Sequence, residues 1–340
     1  MPTIDEIARL AQVSPATVSK VLNNRSYVSA QTRERVKRVI AETGFVPSQR
    51  ARWLSTQRTL ILGLLIPYTS DQLFADPHLL EIMRGIESVA NEREYNLLLS
   101  TARSPSQAGS AFTRLLRTDV VDAAIVVETL DVQVAAALAH PDKTWAVIGY
   151  AHAEGVPAVH ADDYGGALAA ARHLAELGHR RIGVISSVPR PSALDERLRG
   201  ITDALAAADA PLDEALIAVG DFSLESGERA ALELLGRPGR PSAIFALNDR
   251  MALGVVRAAH QLGLHVPDDL SVVGFDDISL AALFTPALTT VRQPGFRLGA
   301  AAATATFALL DGAAPGPPTV IPTELVIRGS TGPPPAPERR

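Results

Sequence analysis

The run Ser14-Pro15-Ala16-Thr17-Val18-Ser19-Lys20-Val21-Leu22-Asn23, with what flanks it, constrains the fold most. Thr3 followed by Glu6 has the form of a capping box, so a helix is expected to begin there. Ile4, Ile7, Ala8 and Ala11 recur at helical spacing and give that helix one apolar face. Gln12 and Val13 leave room only for a sharp turn. Ser14 can then cap a second helix, with Pro15 at its first position, where a missing amide costs nothing. On that helix Val18, Val21 and Leu22 point inward, and Pro15, Ala16, Ser19 and Lys20 lie towards solvent. A third helix is expected from Ser29, with Val36, Val39 and Ile40 as its core face and Gly44 as its stop. Two short helices around a three-residue turn, buttressed by a third, make a helix-turn-helix unit. Such a unit presents the first turn of its second helix to base edges in the DNA major groove.

Helix spacing alone also fits any small capped three-helix module, and charge separates the two readings. Residues 1–58 carry ten Lys or Arg against four acids, a net of +6, whereas the whole chain is −5. The other 282 residues therefore carry −11. A basic head on an acidic body suits binding to phosphate.

With these residues in view, the sequence resembles the LacI/GalR family of bacterial transcription repressors. The resemblance rests on Val13 to Asn23, on Val28-Ser29-Ala30-Gln31-Thr32-Arg33 and on Gly44-Phe45-Val46-Pro47-Ser48. It implies DNA contacts from Thr3, Ser14, Pro15, Ala16, Thr17, Ser19, Lys20, Asn23, Tyr27, Ser29 and Arg33. Gln12 departs from the Gly or Asn usual at this turn, and a positive φ there would strain Gln by roughly 1 kcal/mol. Residues 47–59 are expected to form a hinge helix that folds on DNA, because a helix so short is marginal alone. By resemblance Leu54 is the minor-groove wedge, Ala51 the close-packed contact between paired hinges, and Arg50 a further DNA contact that replaces a small apolar residue. An apolar wedge between base steps kinks the duplex. The other reading of this segment is a solvated basic linker.

From Leu60 onward short apolar runs alternate with amphipathic stretches. Strands are expected at 60–66, 96–100, 122–127, 145–149, 181–186, 216–219, 242–246 and 271–275. Helices are expected near 79–93, 107–117, 131–139, 163–177, 194–208, 223–235 and 250–262, with a short bridge at 157–161. Such alternation argues for parallel sheets covered on both faces, in two lobes with strand ends facing a cleft. Leu177-Gly178-His179, Asn248-Asp249-Arg250, Ser271 to Asp277 and Pro286 to Gln293 extend the resemblance to the family's periplasmic-binding-protein-like core. In that core the chain crosses between lobes three times, which implies that a helix at 295–310 returns to the first lobe and a strand at 324–328 rejoins the second.

The expected organisation is a helix-turn-helix domain at 1–46, the hinge at 47–59, and a two-lobed α/β effector-binding and dimerisation core at 60–329. Lobe 1 takes about 60–161 and 294–320, and lobe 2 takes about 162–293 and 321–329. The Pro-rich residues 330–340 are expected to be disordered.

A hydroxyl-rich ligand needs bidentate donors and acceptors and an aromatic face. Arg197, Asn248, Asp276 and Phe222 match the family's effector-contacting positions, and Gln293, His78 and Leu79 match less closely. Each has a plainer role open to it: Asp276 and Asn248 as helix caps, Arg197 as the partner of an acid on a neighbouring helix, Phe222 as core. Gly149 stands where several sugar-binding relatives carry an acid, and the loop 68–78 is long enough to line the cleft mouth.

Catalysis is not expected. There are no cysteines, no metal-binding H-E-x-x-H and no phosphate-binding glycine loop, and no cofactor or metal is implied. No apolar run approaches 18 residues, and the acidic start offers no secretory h-region, so a cytoplasmic protein without membrane contact is expected. The expected partners are double-stranded DNA as a palindromic operator, a carbohydrate effector, and a second copy of the chain in a homodimer. The alternatives are a soluble sugar-binding transport component, disfavoured by the basic head, and a regulator that uses a corepressor or a protein signal.

Overall fold

The computed structural model describes residues 2–22, 27–45, 58–102, 115, 120–127, 144–150, 156–188 and 192–335. It divides into two units, residues 1–59 and 60–340.

The first unit is three helices, α1 (Ile4–Leu10), α2 (Pro15–Leu22) and α3 (Ala30–Thr43). Local chemistry sets their ends. Thr3 Oγ1 accepts from Glu6 N at 3.3 Å, one half of the expected box. Ser14 Oγ accepts from Thr17 N at 3.2 Å, and Ser29 Oγ from Thr32 N at 3.3 Å. Gly44 ends α3 in the left-handed region. Gln12 also has a positive φ, 53°, so the turn geometry is kept without the residue that suits it. Ile7, Ala8, Ala11, Val18, Val21, Val36 and Phe45 close the core of this unit.

The second unit holds two parallel sheets. In the first, β1 (Ile61–Ile66), β2 (Asn96–Thr101), β3 (Ala123–Val127), β4 (Thr144–Ile148), β5 (Ala158–Ala161) and β11 (Thr319–Ile321) lie in the order β11-β5-β4-β3-β1-β2. Side-chain alternation along β1 splits the core. Leu62, Leu64 and Ile66 pack on one face against α5 (Pro77–Glu92) and α11 (Gly295–Leu310), whereas Leu65 packs on the other with Leu115, Val126 and Trp145. The helices α5 and α11 touch through glycines: a Cβ on Gly85 would overlap Phe296 O, and one on Gly299 would overlap Ile82 O.

In the second sheet, β6 (Ile182–Ser187), β7 (Ile217–Gly220), β8 (Ala243–Ala246) and β9 (Ser271–Val273) lie in the order β7-β6-β8-β9. Helices α6 (Asp163–Glu176), α7 (Ser192–Ala207), α8 (Leu224–Leu235) and α9 (Asp249–Gln261) supply the rest of its core, and α10 (Ser279–Leu283) follows β9. The chain passes between sheets after β5, before α11 and after β11, the three crossings expected.

Several expectations need correction. The bridge at 157–161 is β5, a full member of the first sheet; four residues beside Pro157 carry too little pattern to show it. The loop 68–78 contains α4 (Ser70–Phe74) and the first turn of α5. A capping box formed by Thr69 and Gln72 starts α4, and Asp76 caps α5 by accepting from His78 N at 2.9 Å. The strand expected at 324–328 is shorter, β12 (Glu324–Val326), and it packs beside α6 through an antiparallel pairing with β10 (Thr290–Arg292).

The tail expected to be disordered is packed as far as Pro334, which lies against Gly178. Ser330 is buried, Val272 N donates to its carbonyl at 2.8 Å, and Thr289 N donates to its Oγ at 2.8 Å. His179, fully buried, bonds Gly332 O through Nε2 at 2.9 Å and Ser242 Oγ through Nδ1 at 2.8 Å. Backbone groups at the edge of the second sheet hold this segment, so its proline content does not decide its order. Residues 336–340, the helix expected at 131–139, that at 107–117 apart from Leu115, and the hinge apart from Arg58 and Thr59 lie outside the described residues.

Candidate functional site

On α2 the exposed face carries Pro15, Ala16 and Lys20, with Ser19 and Thr17 partly buried beside them. Ser14 Oγ and Thr17 Oγ1 lie 2.9 Å apart, so the cap and the first turn form one polar corner. Tyr27 is 88% exposed, Thr3 and Ser29 are exposed caps, and Arg33 is partly buried. Asn23, Arg50, Ala51 and Leu54 lie outside the described residues.

The second unit contains a cavity of about 860 Å³, open solvent at its mouth included. All seven residues expected to contact an effector line it: His78, Leu79, Arg197, Phe222, Asn248, Asp276 and Gln293. They come from both lobes. His78 and Leu79 sit on the first turn of α5, Arg197 on α7, Phe222 after β7, Asn248 after β8, Asp276 after β9 and Gln293 after β10. The carboxyl ends of three parallel strands of the second sheet thus supply Phe222, Asn248 and Asp276, as open α/β sheets dictate.

The floor of the cavity is built around Arg197, whose side chain is 7% exposed. Its Nε donates to Asp163 Oδ1 at 2.8 Å, its Nη1 donates to Leu247 O at 2.5 Å, and Asp276 Oδ1 lies 3.9 Å from Nη1. The guanidinium also stacks over Phe275, 3.8 Å from the ring centroid. Gln293 Nε2 donates to Asp276 Oδ1 at 2.6 Å. Asn248 caps α9 by accepting from Met251 N at 2.9 Å and donates to Phe222 O at 3.2 Å. Two of the plainer roles therefore coexist with the pocket positions: Asn248 is a helix cap, and Arg197 has its acid on a neighbouring helix.

Burial pushes the Asp276 carboxyl up to about 8, against the opposing pull of Arg197. Burial also raises Asp163, with Arg197 again opposing, and holds the His78 imidazole below its ordinary value. Behind the lining, buried Asp249 accepts from Thr290 Oγ1 at 2.5 Å and Ile278 N at 2.9 Å; burial and neighbouring Asp276 raise it. The backbone at Asp276, Asp277 and Phe222 has φ of 119°, 58° and 69°. Strain of this kind concentrates where side chains must be aimed at a ligand. Arg292 and Arg328 clamp Asp277 at 2.7 and 2.6 Å and so pin the strained pair.

The loop 68–78 lines the cavity as expected, through Tyr68, Gln72 and Asp76, although these residues were not singled out, and sequence reasoning missed Asp163, His160 and Arg250 on the lining. The Thr69-to-Gln72 spacing is a signal that could have found α4. Asp163 offered none, because its role depends on α6 lying beside α7. Tyr68 and Phe222, from opposite lobes, meet edge to face with centroids 6.2 Å apart. Tyr150 stacks on His160 and donates to Asp163 Oδ2 at 3.3 Å. Among the described residues no cluster of three potential metal ligands occurs, and no helix is long and apolar enough to cross a membrane.

Comparison with known proteins agrees with this two-part construction. Residues 3–48 match the model of bacterial regulatory proteins of the lacI family, and residues 171–331 match that of the periplasmic binding protein-like domain. The chain is similar to the ribose operon repressor of Haemophilus influenzae, with 34% identity over 88% of this chain and 89% of that one. Among solved structures it is similar to the transcriptional regulator CelR–cellobiose complex, with 34% identity over 97% of this chain and 100% of that one and a TM-score of 0.74. It is also similar to the lac repressor dimer bound to operator and the anti-inducer ONPF, with 29% identity over 97% and 99% of the two chains and a TM-score of 0.87. A helix-turn-helix head, a parallel two-lobed core and these likenesses along nearly the whole length lead to one assignment: the chain belongs to the LacI family of bacterial regulatory proteins.

Proposed function

We propose that this DNA-binding transcription regulator is a cytoplasmic repressor that binds a palindromic operator as a homodimer and releases it when a small hydroxyl-rich effector enters the cavity. The observation that carries the reading is the convergence of seven residues, picked from sequence alone, on a single cavity walled by both lobes. A ligand seated there touches two bodies that the chain joins at only three crossings, so it biases their arrangement. If DNA prefers a different arrangement, effector and operator each lower the other's affinity by the same factor. The ribose and cellobiose in the names of its relatives favour a sugar or sugar derivative as the ligand, and the lac repressor dimer bound to operator favours paired binding. On DNA, Pro15, Ala16, Ser19 and Lys20 of α2 face the base edges, and Ser14, Thr17, Tyr27, Ser29, Arg33 and Thr3 set its register on phosphate. Leu54, Ala51 and Arg50 act from the hinge.

The test is selection of binding sites from random-sequence DNA by the full-length protein, followed by titration of sugars into the selected complex. An enriched inverted repeat, released by a sugar in the wild type and retained in Phe222→Ala, is the expected result. Enrichment of an unpaired half-site, or release that ignores Phe222→Ala, contradicts it.

A further inference from the structure

The charges on the cavity wall say more about the ligand than its shape does. Four aspartates line the cavity, Asp76, Asp163, Asp221 and Asp276, against two arginines, Arg197 and Arg250. The deepest cation is not available to an anion. Arg197 is already held by Asp163 at 2.8 Å, faces Asp276 at 3.9 Å and spends a further donor on Leu247 O. A phosphate or carboxylate brought to that floor would meet a guanidinium already paired with Asp163 and, beside it, Asp276, which burial favours in its uncharged form, so it would find no uncompensated positive charge. Arg250, half-buried on the first turn of α9, shares the lining with Asp76 and Asp221, so the rim adds no net positive charge.

Hydroxyl groups meet the opposite situation. Each can donate to a carboxylate oxygen while accepting from an amide or guanidinium nitrogen, so the alternation of fixed acceptors and donors that repels an anion satisfies a polyol. The ring edges of Tyr68 and Phe222 supply an apolar surface for C–H groups beside them.

We propose that the pocket takes an uncharged polyhydroxylated ligand, a neutral mono- or disaccharide, and rejects the phosphorylated and carboxylated forms of the same sugars. This rests on the sugar-effector reading above and narrows it. The selection is built into the Asp163–Arg197–Asp276 floor, which consumes internally the charge that an anionic effector would need.

Thermal unfolding of the full-length protein with matched pairs tests this: D-ribose and ribose 5-phosphate, D-glucose and glucose 6-phosphate, D-galactose and D-galacturonate, cellobiose and its carboxylated form. A neutral member should raise Tm, its charged counterpart should need at least about tenfold more for the same shift, and Phe222→Ala should abolish the shift. An anionic member that stabilises at equal or lower concentration overturns the inference and leaves the sugar reading standing. A neutral shift that persists in Phe222→Ala places the ligand elsewhere and also overturns it. If no member of any pair moves Tm, the sugar reading fails and this inference with it.

Discussion

At the scale of single residues, Asp276 makes the sharpest prediction. Its folded-state value is pushed up to about 8 by burial, far above the unfolded value near 3.9. The folded chain therefore holds a proton that the unfolded chain has lost across the window from about 4 to about 8. Stability falls as pH rises through that window and levels off above it. Asp276→Asn removes the titration, so Tm of wild type minus Tm of variant should decline from acid to about pH 8 and then stay flat. A difference that does not vary with pH contradicts the assignment. Gln72 makes a second prediction. Its Oε1 is fixed by Thr69 N and Thr69 Oγ1, each at 3.1 Å, which turns the Nε2 donor the other way on a residue that lines the cavity. Gln72→Glu keeps the capping acceptor and loses the donor. It should retain the Tm of the ligand-free protein while weakening sugar binding by about fivefold to tenfold, the cost of one neutral hydrogen bond. Lys20→Ala on the exposed face of α2 should weaken operator binding more than binding to random DNA, and equal losses would reassign Lys20 to phosphate.

At the scale of elements, packing of α5 on α11 depends on Gly85 and Gly299, where any Cβ meets the backbone of the facing helix. Gly299→Ala should lower stability by about 1–3 kcal/mol through overpacking, read as a fall in Tm. An unchanged Tm would mean that the helices can separate freely. Elements with strong local signals were legible in the sequence. Helix α11 falls on the limits that the family resemblance implied, with Leu298, Gly299, Ala302, Ala303 and Thr306 burying one face, and α3 starts and stops at Ser29 and Gly44 because both are chemical end signals. Strands β5 and β11 were not legible. Each is three or four residues long and is fixed by its neighbours in the sheet: β5 pairs with β4, and β11 pairs with β5 over more than 150 residues of chain. Order in Ser330–Pro334 was missed for the same reason: the backbone partners at Val272, Thr289 and His179 are distant in sequence.

At the scale of the whole molecule, the two units answer to different physics. The head is basic and its helices stop at local caps. The core is acidic and is organised by two parallel sheets whose strand ends face one cavity. The polar floor of the candidate site was half legible: Arg197, Asp276, Asn248 and Gln293 sit in recognisable motifs, whereas Asp163 joins them only through the packing of α6 on α7. The central claim is that a ligand in this cavity and DNA on the head are coupled. The measurement that tests it most directly is fluorescence anisotropy of the selected operator, titrated with full-length protein without and with a saturating neutral sugar that raises Tm. The account predicts that the sugar lowers operator affinity by a factor between about 5 and 150, and that operator lowers sugar affinity by the same factor. Operator affinity unchanged by a sugar that occupies the cavity would contradict it.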